Sequence, residues 1–414
     1  MPDPSASPRS SRRISRRGLL GYAGTTGLGA AAGAGLVVAV GGDSPAPAAP
    51  ADPAALGAPG ATVSPWGRHQ PGVAQHPPAV TEVVALDLHD EVDREALGRL
   101  MRVWTGDVEA LTAGRGAPGD PAPWLSNPAA DLTITVGVGP GALGADRFGE
   151  GPTGFAEIPP MTHDRLEDRW SGGDLCVTVA GRDGTTVAHA VRRMVADAEP
   201  FARLRWRQVG FWNGTDPEGR PQTGRNLFGQ VDGSGNPRPG TELFDSTVWI
   251  DAGRWSGATT MVLRRIRMDL DTWDELTRDE QERSVGRRLS DGAPLTGGDE
   301  LDDLDLTAES QGRLVVPRDA HSRRSHPSLH GGRRIFRKGA NYTREVDTPR
   351  GARVESGLLF ASYQADLTDQ FVPLQRSLDE LDQLNEWTTA IGSAVFVVLP
   401  GFEDGSWLGE SLLT

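Results

Sequence analysis

Two segments of this 414-residue chain hold residue types that could do chemistry. In DAHSRRSHPSLHGGRRIFRKG (319–339), three of the eight histidines, His321, His326 and His330, fall within ten positions. Imidazole is a common ligand of transition metals and titrates near neutrality. Pro327 and Gly331–Gly332 interrupt any helix here, so no pair of histidines four apart shares a helix face. By spacing alone the segment reads as a solvated basic loop, with a three-histidine zinc site as the alternative. In NLFGQVDGSGNP (226–237), Asp232 sits among glycines, and a turn is the plain reading. A third segment, GPGALG (139–144), matches G-x-G-x-x-G, but turn-like ADRFGEGPTG follows where a dinucleotide site needs a helix. The single cysteine, Cys176, excludes an intramolecular disulfide and cysteine-based zinc or iron–sulfur sites within one chain. Its apolar neighbours Leu175 and Val177 predict a buried thiol.

The elements that must position these residues are read from periodicity. VVALDL (83–88) predicts a strand, and Val92, Ala96, Leu97, Leu100, Val103, Trp104 and Val108 recur at helical spacing. DLTITVGVG (131–139) and DLCVTVA (174–180) predict two more strands. Val187, Val191, Met194 and Val195 then mark a helix, and RLRWRQVGF (203–211) a fourth strand. The order β-α-β-β-α-β is the ferredoxin-like split motif. The second half repeats it loosely: strand 258–269, helix near Leu270–Leu276, strand 357–366, amphipathic helix Phe371–Trp387 and strand 394–400. The fold class expected is therefore α+β, with two ferredoxin-like units and antiparallel sheets. Residues 286–340 break the repeat, and a long irregular stretch in a compact domain is usually functional, so the site is expected there.

Composition narrows the function. With 42 Lys+Arg against 56 Asp+Glu, the net charge is -14. Residues 51–414 hold 37 basic and 54 acidic residues, a net -17, which argues against a nucleic-acid partner. Residues 8–17 (PRSSRRISRR) carry no acid and precede an apolar run of small residues at 18–40 and a Pro/Ala-rich stretch at 44–61. This is the pattern of an export signal, and Ser15-Arg16-Arg17-Gly18-Leu19-Leu20 resembles the twin-arginine motif. Left uncleaved, the run could anchor the chain in a bilayer. The expected organisation is 1–61 leader and linker, 62–225 first domain, 226–414 second domain.

Taken together, these segments resemble the dye-decolourising peroxidase family over roughly residues 75–414. Gly229-Gln230-Val231-Asp232-Gly233 is similar to its G-x-x-D-G motif, with Asn226 and Asn236-Pro237 flanking it. His321-Ser322-Arg323-Arg324-Ser325-His326-Pro327 is similar to H-x-R-x-x-N-P, with His326 where the family usually has Asn. Ile335-Phe336-Arg337-Lys338-Gly339 resembles I-[LF]-R-[RK]-G, and GLLF (357–360) and GSAVFVVLPG (392–401) also fit. The resemblance implies haem b (iron protoporphyrin IX) bound in the C-terminal half. It implies His321 as the iron ligand, His326 being the alternative. Asp382 would accept from the other ring nitrogen, with Asp366 as runner-up. Arg323 would pair with a haem propionate.

On the opposite face the resemblance implies Asp232 as acid/base toward hydrogen peroxide and Arg337 as the cation that stabilises charge on the breaking O–O bond. Gly229 and Gly233 would shape the motif, and Leu358 and Phe360 would wall the pocket and keep bulky dyes out. The implied function is an exported haem peroxidase, extracellular, periplasmic or in the envelope, that oxidises bulky aromatic or phenolic donors at acidic pH. Its implied partners are peroxide, the donor, and the twin-arginine translocase, with homo-oligomerisation left open. The alternative on the same fold resembles deferrochelatase, which takes iron from haem. A non-catalytic haem carrier would not need both Asp232 and Arg337.

Overall fold

The computed structural model describes residues 62–349 and 351–414; the twin-arginine motif and the rest of the leader lie outside them. After a short helix α1 (Pro71–Ala74) comes β1 (Val80–Leu88), which buries six of its nine residues. Helix α2 (Arg94–Thr112) starts where the Asp93 carboxylate accepts from Ala96 N–H, which satisfies one of the free amides of a helix start. β2 (Thr133–Val138) and β3 (Leu175–Gly181) follow. Asp183 caps α3 (Gly184–Ala198) in the same way, and β4 (Ala202–Phe211) completes the first set.

The second set opens with α4 (Glu242–Val248) and β5 (Thr259–Met268), then α5 (Leu270–Asp274) and α6 (Arg278–Val285). Thr277 and Glu280 form a capping box at the start of α6, and Gly286, at φ 88°, ends it. A two-stranded ribbon, β6 (Glu309–Ser310) with β7 (Arg313–Leu314), and the one-turn helix α7 (His321–Arg324) occupy the stretch that breaks the repeat. That stretch ends earlier than its composition predicts. Phe336 opens β8 (Phe336–Thr348), paired along its length with β9 (Gly351–Gln364). Helix α8 (Val372–Leu381) is shorter than the apolar spacing suggests; it stops at Asp382, whose carboxylate caps a 3-10 turn over Gln383–Glu386. β10 (Thr388–Val398) and α9 (Glu410–Leu413) finish the chain.

The strands form a closed antiparallel barrel in the order β1-β3-β2-β10-β5-β9-β8-β4. Each set contributes four neighbouring strands in the order fourth, first, third, second, or its reverse. The sets join at thin seams: β10 meets β2 through Val397 and Val398, and β4 meets β8 through Phe211 and Asn341. Alternate residues on each strand face opposite ways. Met261, Leu263, Phe336, Tyr363, Phe396 and their neighbours pack inside the barrel. The outer face of the first set packs on α2 and α3 through Val84, Leu97, Trp104, Val177 and Met194. The outer face of the second set, including Ile266, Leu358 and Phe360, clusters instead with Trp273, Val285 and Leu384. No helix among the described residues is long and apolar enough to cross a membrane.

Candidate active site

A cavity of about 280 Å³ lies on that second outer face. Ile266 and Met268 of β5 and Leu358 and Phe360 of β9 form its apolar floor, while Val285 of α6, His321 and Ser322 of α7, and Leu374 and Leu378 of α8 enclose it. The G-x-G-x-x-G segment lies elsewhere. It makes one 3-10 turn at Pro140–Ala142, and a Cβ at Gly141 would stand 1.8 Å from Asp174 Oδ1.

His321 is stapled in place. Ser322 Oγ donates to Val285 O at the end of α6, where a Cβ at Gly286 would come within 2.5 Å of that hydroxyl. Arg324 donates to Ser377 O on α8, and Gln383 N–H donates to Asp319 O. His321 Nδ1 lies 2.6 Å from Asp382 Oδ2, and the other Asp382 oxygen accepts from Leu384 N–H. Burial works against charge on His321, but the Asp382 carboxylate outweighs it and holds the imidazole above its usual value. Nε2 of His321 has no protein partner among the described residues, and the side chain keeps 28% of its surface open. His326 also lines the cavity, but its two ring nitrogens are engaged, Nε2 with Asp303 at 2.7 Å and Nδ1 with Ser328 Oγ at 2.8 Å. His330 Nε2 donates to Arg324 O. Asp366 is turned to its own chain, accepting from Asp369 N–H and Thr368 Oγ1. Among the described residues no three His, Cys, Asp or Glu side chains form a metal-holding cluster.

Asp232 and Arg337 meet at the same cavity, with Oδ1 and Nη1 3.3 Å apart. The Gly-rich motif is a double turn. Gly229 N–H donates to Asn226 O, Asn226 N–H donates to Gln230 O, and Asp232 N–H donates to Gly224 O. Gly229 at φ 81° and Gly233 at φ 129° supply conformations that side chains disfavour. Asn236 then grips the strand that carries Arg337: its Nδ2 donates to Arg337 O at 2.7 Å, and its Oδ1 accepts from Arg337 N–H at 3.1 Å. Gln230 Nε2 is buried beside this turn without an acceptor among the described residues.

Of the residues singled out from the sequence, His321, Asp382, Asp232, Gly233, Arg337, Leu358 and Phe360 all reach this cavity. Gly229 and Arg323 do not line it. Gly229 acts behind the wall, where its carbonyl accepts from Arg225. Arg323, the residue expected at a propionate, instead uses Nη1 on backbone carbonyls, donating to Leu306 O at 2.7 Å and Val316 O at 3.4 Å. In a one-turn helix, Arg323 two positions beyond His321 projects away from the histidine's side. The cations that do line the cavity are Arg264, Arg287, Arg333, Arg334 and Arg337. Arg264 is paired with Asp164, Arg287 donates to backbone carbonyls and Arg333 pairs with Asp369. The Arg334 guanidinium has no hydrogen bond or ion pair among the described residues. Two adjacent arginines shortly before β8 are the only sequence signal for it.

This donor set fits a haem. It offers one imidazole nitrogen without a protein partner, an apolar floor for a flat macrocycle, and a free guanidinium for an anionic edge.

The sequence models of the Dyp-type peroxidase N-terminal and C-terminal regions match residues 70–212 and 223–403. The chain therefore belongs to the Dyp-type peroxidase family and is a haem-dependent oxidoreductase acting on peroxide. It is 35% identical to the dye-decolorizing peroxidase of Thermobifida fusca, over 96% of this chain and 97% of that one. It is 31% identical to a deferrochelatase of Yersinia pestis, over 84% of each chain. The crystal structure of a DyP-type peroxidase from Cellulomonas bogoriensis superposes with a TM-score of 0.80 at 42% identity, covering 88% of this chain and 99% of that one.

Proposed function

We propose that this protein is an exported peroxidase that oxidises bulky aromatic or phenolic donors, using haem b held in the C-terminal of two ferredoxin-like domains, 62–225 and 226–414. The observation that carries the reading is the placement of His321, Asp232 and Arg337 on one cavity. Haem, when bound, supplies the iron and electrons that cleave peroxide. His321 would hold the iron through Nε2, and Asp382 holds Nδ1 so that the imidazole is oriented and electron-rich. Leu358, Phe360, Ile266 and Leu374 line the cavity and would exclude water from a bound haem. Arg334 offers its guanidinium to a propionate.

Asp232 would take one proton from hydrogen peroxide and return it to the oxygen that leaves as water. Arg337 stays charged beside it and stabilises negative charge on the parting oxygens. The walled cavity favours peroxide over dyes, so bulky donors would give up electrons from outside it. Export by the twin-arginine route rests on Arg16-Arg17 and the apolar run behind them.

The similarity to deferrochelatase carries a second reading, release of iron from haem. One experiment separates the two. The haem-loaded protein is mixed with peroxide and a phenol or anthraquinone dye at acidic pH, and separately held with haem under reducing conditions. Peroxide-dependent donor oxidation without free protoporphyrin is the expected result. Catalytic accumulation of metal-free porphyrin with no donor oxidation would overturn it. His321→Ala should abolish the Soret band while His326→Ala keeps it, and replacing Arg16-Arg17 by lysines should leave folded protein in the cytoplasm.

A further inference from the structure

A second cavity, about 30 Å³, lies inside the barrel, walled by Thr81, Thr133, Thr135, Thr178, Lys338 and Tyr363 with alanine, valine and leucine side chains between them. Lys338 is the only lysine in the chain. It follows Arg337 on β8, so the pleat sends the two cations to opposite faces, Arg337 to the outer cavity and Lys338 to the interior. Lys338 Nζ donates at 2.8 Å to Gly72 O and at 2.8 Å to Gln75 O. Its third N–H has no acceptor among the described residues, and no carboxylate lines the cavity.

The threonine hydroxyls are equally unengaged. Those of Thr81, Thr133 and Thr135 make no hydrogen bond among the described residues, and Thr178 Oγ1 has only a 4.0 Å contact with Cys176 Sγ. A Cβ at Gly72 would stand 2.2 Å from Thr135 Oγ1 and 3.2 Å from Thr133 Oγ1. The hydroxyls of Thr133 and Thr135 therefore lie directly beneath the backbone that holds the ammonium. Burial draws the Lys338 ammonium down to about 7, as expected for a charge that the protein leaves uncompensated.

We propose that this cavity binds one small inorganic anion of halide size, held by the Lys338 ammonium and the hydroxyls of Thr133 and Thr135. Below about pH 7, where the amine is protonated, a water molecule would satisfy the hydrogen bonds but leave the charge without a counterion. Apolar walls strengthen the ion–ammonium attraction. The space admits one species about the size of water, which excludes sulfate, phosphate and organic acids.

The test uses the haem-loaded protein. Crystals grown in sodium bromide should show an anomalous peak between Lys338 Nζ and the threonine hydroxyls. In solution, bromide should raise the melting temperature above that in sodium isethionate at equal ionic strength, because a ligand that binds only the folded state stabilises it. Lys338→Met should lose the peak and the bromide-dependent shift. Thr135→Val, which keeps the shape and removes one donor, should weaken the apparent bromide affinity on the order of tenfold, and it carries the test if Lys338→Met does not fold. A cavity holding only water in bromide overturns the proposal. So does a bromide-dependent shift that survives unchanged in Thr135→Val or Lys338→Met, because the halide would then be bound elsewhere.

Discussion

Asp382 and His321 stand 61 positions apart in sequence and 2.6 Å apart in space. The carboxylate is 5% exposed and divides its oxygens between the imidazole and Leu384 N–H. One residue thus ends α8, starts the 3-10 turn and orients the candidate iron ligand.

Replacing Asp382 tests that coupling. Asp382→Asn keeps the size but removes the charge that holds His321 above its ordinary pKa. Partners of this kind typically cost 10–100-fold in metal affinity or activity, and a loss of about that size is expected here. Haem titration followed at the Soret band measures it, with Asp366→Asn as the comparison that leaves binding intact. Equal affinities in the two variants would remove Asp382 from the site.

The distal pair should respond in graded fashion. Asp232→Asn is expected to slow the reaction with peroxide by about 10²–10⁴-fold, and Arg337→Leu by about 10²–10³-fold. Asn236→Ala breaks only the two bonds that hold Arg337's backbone. It should retain haem and slow peroxide by roughly tenfold or more, since small misplacement is costly in a positioned site. Stopped-flow traces over a range of peroxide concentrations give all three rates. An Asn236→Ala rate matching the parent would mean that β8 holds Arg337 unaided.

Arg323 and Arg334 should separate cleanly. Arg334→Ala is expected to weaken haem binding by about tenfold, the scale of one charge-assisted pair. Arg323→Ala removes a donor to Leu306 O and Val316 O. It should lower thermal stability by about 1–3 kcal/mol and leave haem affinity near the parent's. The opposite pattern would restore Arg323 to the propionate.

A buried carboxyl on α2 that does not line the cavity, Asp107, sets a pH dependence. Burial, reinforced by the neighbouring Asp197, raises the Asp107 carboxyl to about 7, against about 3.9 in an unfolded chain. Between these values the folded state keeps a proton that the unfolded state has lost. The stability is therefore complete below about pH 4 and is lost as pH rises toward 7. Asp107→Asn stays neutral throughout, so its melting temperature should exceed the parent's at pH 8 and approach it at pH 4. A constant difference across that range would show that Asp107 does not titrate there.

The sequence by itself determined the elements of the first half, because their signals are local. Alternation in 131–139 and 174–180 and the 3.6-residue stripe from Val92 to Val108 each reflect one face against one core. It also located the chemistry in two short motifs, since turns such as 226–233 need glycine at particular positions. Only the tertiary structure decided the rest. Strand β8 was hidden because its inward face carries Lys338 and its far half runs out into an exposed hairpin, so apolar alternation is diluted. The break of α8 at Asp382 was hidden because Leu381 and Leu384 continue the apolar spacing while the carboxylate's partner lies 61 residues away. Arg323 and Arg334 are both arginines beside a motif. Which one faces the cavity depends on the turn of α7 and the pleat at the start of β8, and those are fixed by packing against α6, α8 and β9.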